Sequence, residues 1–141
     1  MIIIPTTHID LLQSRVHGVL TTVMPNGAPQ SSIIWVDYDG EYVLINTTLE
    51  RQKGRNMQTN PKVTILVIDP KNSSRWVEVR GRVCEMTQEG AEDHADKLTQ
   101  RYCRNKLHFY GDIYPVDQKD RETRVIVKIQ PIKVCVDAIF K

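Results

Sequence analysis

Apolar and polar residues alternate singly along much of the chain, the two-residue period of strands with one dry and one wet face. The pattern is clearest from Trp76 to Met86: Val77, Val79 and Val83 fall on one side, Glu78, Arg80 and Arg82 on the other. Gly81 interrupts this run and predicts a bulge or sharp bend. The same period predicts two final strands, Arg124 to Gln130 with Val125, Val127 and Ile129, and Lys133 to Phe140 with Val134, Val136 and Phe140. Gly18 to Met24 is β-branched and strand-like, and Asn26-Gly27 after it is a strong hairpin signal. A second strand is expected from about Pro29 to Asp37, a turn at Asp39-Gly40, and a third strand from Glu41 to Thr47. Three strands joined by two tight turns predict an antiparallel meander. Val63 to Ile68 is almost wholly apolar, which predicts a central strand.

A longer period marks the helices. Thr7 is a candidate cap, with Asp10 at capping-box spacing, for a short helix carrying Ile9, Leu11 and Leu12. Leu49 to Asn60 reads as a helix stopped by Pro61, with Thr47 and Glu50 at capping-box spacing. Glu89 to Arg104 places Ala91, Ala95, Leu98 and Tyr102 on one stripe. Asn105 to Glu122 is irregular, polar and aromatic. The expected architecture is mainly β: about seven strands, mostly antiparallel, closing into a barrel with three or so flanking helices, as one domain over residues 1–141.

Composition narrows the function classes. The hydrophobic fraction of 40% supports a core, and no run reaches the roughly 18 apolar residues of a spanning helix. Met1-Ile2-Ile3-Ile4-Pro5 has neither the basic leader nor the cleavage site of a signal peptide. A net charge of +2, from 19 basic and 17 acidic residues, argues against a nucleic-acid or membrane partner. Three widely spaced cysteines make no disulfide framework or zinc site. Cys84 and Cys135, in strand-like runs, read as core thiols, and the expected location is the cytoplasm.

The densest basic feature is Arg51, Lys53 and Arg55, followed by Asn56, at the opening turns of the second helix. A helix start offers free N–H groups and the positive dipole end, and the cations add two-point and point-charge contacts to a phosphate. Thr47 and Thr48, just upstream, can add hydroxyls. The alternative from spacing alone is a solvated helix face. Gln30, Ser31 and Ser32 lie either on a wet strand face or along a pocket that hydrogen-bonds a heterocycle. Trp35 and Trp76 read as packing or subunit contacts. Of the four histidines only His17, before the first strand, lies near the basic cluster by topology. Serine elbows, Walker loops and GxGxxG are absent, and no nucleophile–base pair can be nominated.

In this order, several segments resemble the pyridoxamine 5′-phosphate oxidase-like flavin-binding split barrels, and among them the group that uses the deazaflavin coenzyme F420. The carrying segments are Gly18-Val-Leu-Thr-Thr-Val23, Asn26-Gly-Ala-Pro-Gln-Ser-Ser32, Asn46 to Met57, Asn60-Pro-Lys-Val-Thr-Ile-Leu-Val67 and Trp76-Val-Glu-Val-Arg-Gly81. The resemblance spans about Thr7 to Phe140. It implies a six- to seven-stranded antiparallel split barrel and a homodimer with the cofactor, F420 or FMN, at the subunit interface. It also implies that Arg51, Lys53 and Asn56 hold the cofactor phosphate with Arg55 close by, and that Thr47 and Thr48 support the phosphate or ribityl chain. Ser31 and Ser32 would lie against the ring. Trp76 and Val77 match a strand that members contribute to the cleft, in some arrangements from the other subunit. The activity implied is hydride transfer between the bound cofactor and a small organic substrate, the cofactor doing the redox step. The chain ends at Lys141 without the C-terminal extension of full pyridoxamine phosphate oxidases, so oxidation of that substrate is not carried over. The competing readings are a non-catalytic binder or carrier of flavin, F420 or haem, and an oligonucleotide-binding barrel, the latter opposed by the balanced charge and 6% aromatics.

Overall fold

The computed structural model describes residues 2–137. Seven strands form one antiparallel sheet: β1 (Gly18–Val23), β2 (Pro29–Ile34), β3 (Asp37–Tyr38), β4 (Val43–Thr48), β5 (Lys62–Ile68), β6 (Trp76–Thr87) and β7 (Arg124–Val136). Three α-helices flank it: α1 (Ile9–Gln13), α2 (Gln52–Thr59) and α3 (Ala91–Tyr102). Two irregular turns, Phe109–Ile113 and Val116–Arg121, lie between α3 and β7. Among the described residues no helix is long and apolar enough to cross a membrane.

The strand order is β2-β1-β5-β6-β7-β4-β3. The first and last strands of that order are joined in sequence by Trp35 and Val36 alone. Strands lie about 4.8 Å apart, so a flat sheet of this order would hold its edges about 29 Å apart. Three residue steps reach only about 11 Å, so the sheet has to curl until its edges meet. The result is a split barrel whose seam is crossed by Trp35-Val36, as the fold expectation required.

The expected three-stranded meander is therefore corrected. The predicted second strand breaks at Trp35, sending β2 to pair with β1 at one edge and β3 to pair with β4 at the other. The two turns themselves form as expected, with Gly27 and Gly40 at φ +87° and +98°. Asp39 Oδ1 takes the N–H groups of Glu41 and Tyr42 at 2.9 and 2.7 Å. β5 is central, between β1 and β6.

The two predicted final strands are one long strand, β7, so the expected break near Pro131 is corrected too. β7 pairs with β4 through Ile129 and with β6 along most of its length, and Pro131 is accommodated opposite Gly81, where the register slips. A Cβ at Gly81 would run into the Ile129 side chain, which is why this bend needs glycine. Phe140 lies outside the described residues.

Three local expectations also change. α2 begins at Gln52, not Leu49, because Glu50 is drawn away to accept the Thr123 N–H at 2.6 Å. Thr7 does not cap α1: His8 occupies that position, and the Thr7 hydroxyl bonds the His8 ring at 2.8 Å. Cys84 is exposed and Cys135 half-buried, so neither is a core thiol. The core is aliphatic, with Leu20, Ile45, Ile65, Val67, Val77, Val79, Val127 and Ile129 sealed between the curled sheet and the helices.

Candidate functional site

β4 runs straight into α2, and the junction forms one end of a cleft of about 270 Å3. A Cβ at Gly54 would overlap the Thr48 carbonyl, so only glycine lets the first turn of α2 rest on the end of β4. That contact presents Arg51 and Lys53 beside Thr47. The opposite wall comes from Trp35 at the barrel seam, Leu98 of α3 and the aromatic turn with Phe109 and Tyr114.

The cleft has two characters. Its apolar end is built by Ile34, Trp35, Leu98 and Phe109, with Trp35 stacked on Tyr102 at 5.4 Å and edge-on to Phe109 at 6.1 Å. Its polar end gathers Arg51, Lys53 and Arg124 with Asn46 and Thr47. Lys53 Nζ donates to Ser32 Oγ at 3.2 Å, and Arg51 donates to the Tyr114 hydroxyl at 3.1 Å. Among the described residues, no carboxylate lies within 4.0 Å of either cation, and none lines the cleft. Burial pushes the Lys53 ammonium below the usual lysine range, and the positive charges of Arg51 and Arg124 push it further.

The hydroxyls of Thr47 and Thr48 are buried and have no hydrogen-bond partner among the described residues. Such orphans are rare, and that of Thr47, which lines the cleft, is placed to donate to a bound group. The start of α2 has no side-chain cap, so its first N–H groups are also open to an anion. Cations without counter-charges, an orphaned hydroxyl and an uncapped helix start together fit a phosphate.

The structure brings Thr47, Arg51 and Lys53 to the cleft, with Ser32 bonded to Lys53. Ser31 faces the other side of β2 and bonds Thr21 across the ladder at 2.8 Å. Thr48 sits one residue past Thr47, buried under α2. Arg55 turns back along its own helix onto the Glu50 carbonyl and the Gln52 side chain. Asn56 is buried, donating to Thr22 Oγ1 at 3.0 Å and accepting from Gln52 at 2.7 Å. Val77 points into the core, and Trp76 points to the outer face of the sheet. His17 reaches the rim of the cleft.

Arg124 and Asn46 were not among the expected site residues. Arg124 opposes Thr48 across the β4–β7 ladder and is only 8% exposed. Its Nε donates to Tyr110 at 2.8 Å and its Nη1 to Asn46 at 2.7 Å, Nη2 lies 3.4 Å from Glu122, and its guanidinium sits over Phe109 at 4.2 Å. Only the strand register reveals it, since nothing local distinguishes an arginine at the start of an alternating strand.

Residues 4–135 match the model of the pyridoxamine 5′-phosphate oxidase family. The chain belongs to that family. It is 33% identical over 76 residues to a pyridoxine/pyridoxamine 5′-phosphate oxidase of Rhodopseudomonas palustris (strain BisB5). That match takes in 53% of this chain and 35% of the relative, about a third of its length. Among solved structures, an F420 reductase superposes with a TM-score of 0.79 at 33% identity, covering 94% of this chain and 98% of that one. A conserved hypothetical protein of Mycobacterium tuberculosis superposes at 0.72 with 22% identity, covering 97% and 86%, which supports the fold alone.

Proposed function

We propose that this protein is an oxidoreductase that binds coenzyme F420 or FMN, with the cofactor phosphate at the Arg51–Lys53 end of the cleft, and acts on a small organic substrate. The carrying observation is a polar end with three cations, no lining carboxylate and a buried, partnerless Thr47 hydroxyl. The whole-chain likeness to an F420 reductase supports the deazaflavin as the first cofactor to try.

Lys53 would supply a point charge and Arg51 a planar two-point contact to the phosphate. Thr47 would add its hydroxyl, with Thr48 behind it under α2 and the start of α2 completing the grip. Asn56 and Arg55 would act beside this set, Asn56 by fixing α2 against β1. Ser32, bonded to Lys53, would lie along the ring, whereas Ser31 would not, since it faces the other side of β2. The bound cofactor supplies the hydride chemistry, while the protein binds it, orients it and shields it from water.

In this proposal the protein acts in the cytoplasm as a homodimer. Ile33 is 71% exposed and belongs to both the cleft rim and the outer sheet face. There it stands in register with Val19, which stands in register with Leu66, and exposed Ile68 and half-buried Trp76 continue the patch. A second copy covering this row would bring its own Trp76 strand, with Val77 behind it, towards the cleft.

The test is fluorescence titration of the pure protein with F420 and with FMN, followed by consumption of the reduced cofactor with a panel of acceptors. Saturable binding and turnover are expected. No response to either cofactor defeats the proposal, and binding without turnover leaves a carrier.

A further inference from the structure

We infer that a one-way hydrogen-bond chain, Arg124 to Asn46 to His94 to Asp37, positions the Arg124 guanidinium in the cleft and holds His94 as its neutral Nε2–H tautomer. What the guanidinium serves rests on reading the polar end as an anion site, but the chain is argued from donor chemistry alone.

Arginine only donates, so the Asn46 atom 2.7 Å from Arg124 Nη1 has to be the amide oxygen. The amide nitrogen then faces the Ala91 carbonyl at 2.9 Å and His94 Nδ1 at 3.1 Å. A carbonyl only accepts, so one N–H goes to Ala91 and the other to the ring. His94 Nδ1 is therefore an acceptor, and the ring proton sits on Nε2, 3.1 Å from Asp37 Oδ2. At the far end Asp37 collects four donors on two oxygens: His94 and Lys97 on one, Arg101 and the Tyr38 N–H on the other. No group in the chain has a second choice of role.

The chain thus runs from a cation to an anion through two neutral residues, each bond polarising the next. Around His94 stand Asp37 from β3, Asn46 from β4, and Lys97 and Arg101 from its own helix, with Arg124 of β7 behind Asn46. Arg124 spends three of its five N–H groups on Tyr110, Asn46 and Glu122. One N–H remains on each Nη to donate to an oxyanion. An inverted Asn46 amide would press its NH2 against the guanidinium and turn it away. Asn46 and His94 are positioning residues acting through Arg124.

Nitrogen-15 NMR of the ligand-free protein tests the tautomer directly. His94 is expected neutral and protonated on Nε2 near pH 7, and any other proton placement overturns the inference. His94→Gln keeps a donor for Asp37 and an acceptor for Asn46, whereas His94→Leu keeps neither. The Arg124 Nε–H signal, titrated with inorganic phosphate as the probe, should persist in His94→Gln. In His94→Leu it should broaden or shift, with phosphate binding weaker by roughly tenfold. Equal signals and affinities in wild type and both variants overturn the positioning role, and if His94→Leu does not fold, the wild-type tautomer still decides. A protein that shows the tautomer and the His94→Leu response, yet binds neither F420 nor FMN, keeps this chain and loses the cofactor reading.

Discussion

Two polar clusters sit on either side of Asn46, and they are built on opposite rules. Around Asp37, which is 2% exposed, every acceptor is matched by a donor. Burial alone would raise the Asp37 carboxyl, but hydrogen bonds from His94 and Lys97 and the charges of Arg101 and Lys97 outweigh it and hold it well below the usual carboxylate range. Around Lys53 the neighbouring charges of Arg51 and Arg124 share its sign, burial works against the ammonium too, and the hydroxyls of Thr47 and Thr48 stand without partners among the described residues. Matched buried polarity holds a fold together. Unmatched buried polarity of one sign lowers stability until a ligand arrives, so it marks where function was favoured over stability.

If that contrast is right, the largest effect belongs to the double variant Arg51→Ala/Lys53→Ala. Each lost charge-assisted contact costs about 1.5–3 kcal/mol, so cofactor affinity should fall by roughly two to four decades. Folded stability should hold, because neither cation has a carboxylate partner within 4.0 Å among the described residues. Fluorescence titration and thermal unfolding read the two quantities separately, and unchanged affinity would put the phosphate elsewhere. The depressed Lys53 pKa adds a signature in pH. Its charged form binds the anion, so affinity should decline as pH rises through that lowered value, sooner than an ordinary lysine near pH 10.4 would dictate, with proton uptake on binding in that range. Lys53→Arg should remove this alkaline decline.

Asp37→Ala should show the mirror image, with stability falling by about 3–5 kcal/mol in denaturant titration because the buried His94 and Tyr38 N–H groups and the half-buried Arg101 lose their shared carboxylate. A depressed carboxyl contributes stability that is whole above the unfolded pKa of about 3.9 and lost as pH falls from there through the folded value. Wild type should therefore lose stability below about pH 4 more steeply than Asp37→Asn. An equal acid slope in both would mean that the cluster does not hold Asp37 ionised.

Gly54→Ala tests the joint between β4 and α2. The added methyl meets the Thr48 carbonyl, and backbone has to move. Overpacking of this kind costs about 1–3 kcal/mol. Because the displaced turn carries Arg51 and Lys53, affinity should drop along with the melting temperature. A variant with normal affinity would show that the first turn of α2 can shift without carrying the site away.

How far all this was legible in the sequence divides along the same line. The basic run at positions 51 and 53 is local, and so are the turn glycines and the alternation that sends Val77 inward and Trp76 outward. Short-range chemistry announces them. The crossing at Trp35-Val36 was hidden, since one edge residue and the next look alike until the whole sheet order is known. Arg124 meets Asn46 from 78 positions away, and His94 meets it from 48. Such partners are set by β4–β7 register and by where α3 lands, neither of which a periodicity contains. Cys84 was misplaced for a related reason: it follows Val83 at the slip between Val83 and Glu85, where alternation no longer tells inside from outside.

The smallest effect is the sharpest discriminator. Thr47 is 2% exposed and its hydroxyl has no partner among the described residues, so Thr47→Val keeps the branched shape while removing an unmet polar group. An unmet buried group costs about 1–3 kcal/mol, and the free protein should gain stability of about 1 kcal/mol. If the same hydroxyl donates to the phosphate, losing that one bond to a charged group should weaken cofactor binding by about 1.5–3 kcal/mol. Stability and affinity would then move in opposite directions from one atom, which neither a packing defect nor a general loosening produces. Thr48→Val gives the reference, since its hydroxyl is equally partnerless but Thr48 does not line the cleft. It should gain comparable stability with a smaller loss of affinity. A stabilised Thr47→Val that binds as tightly as wild type would mean that the empty hydroxyl faces a buried water, and that the grip on the anion is made by the cations alone.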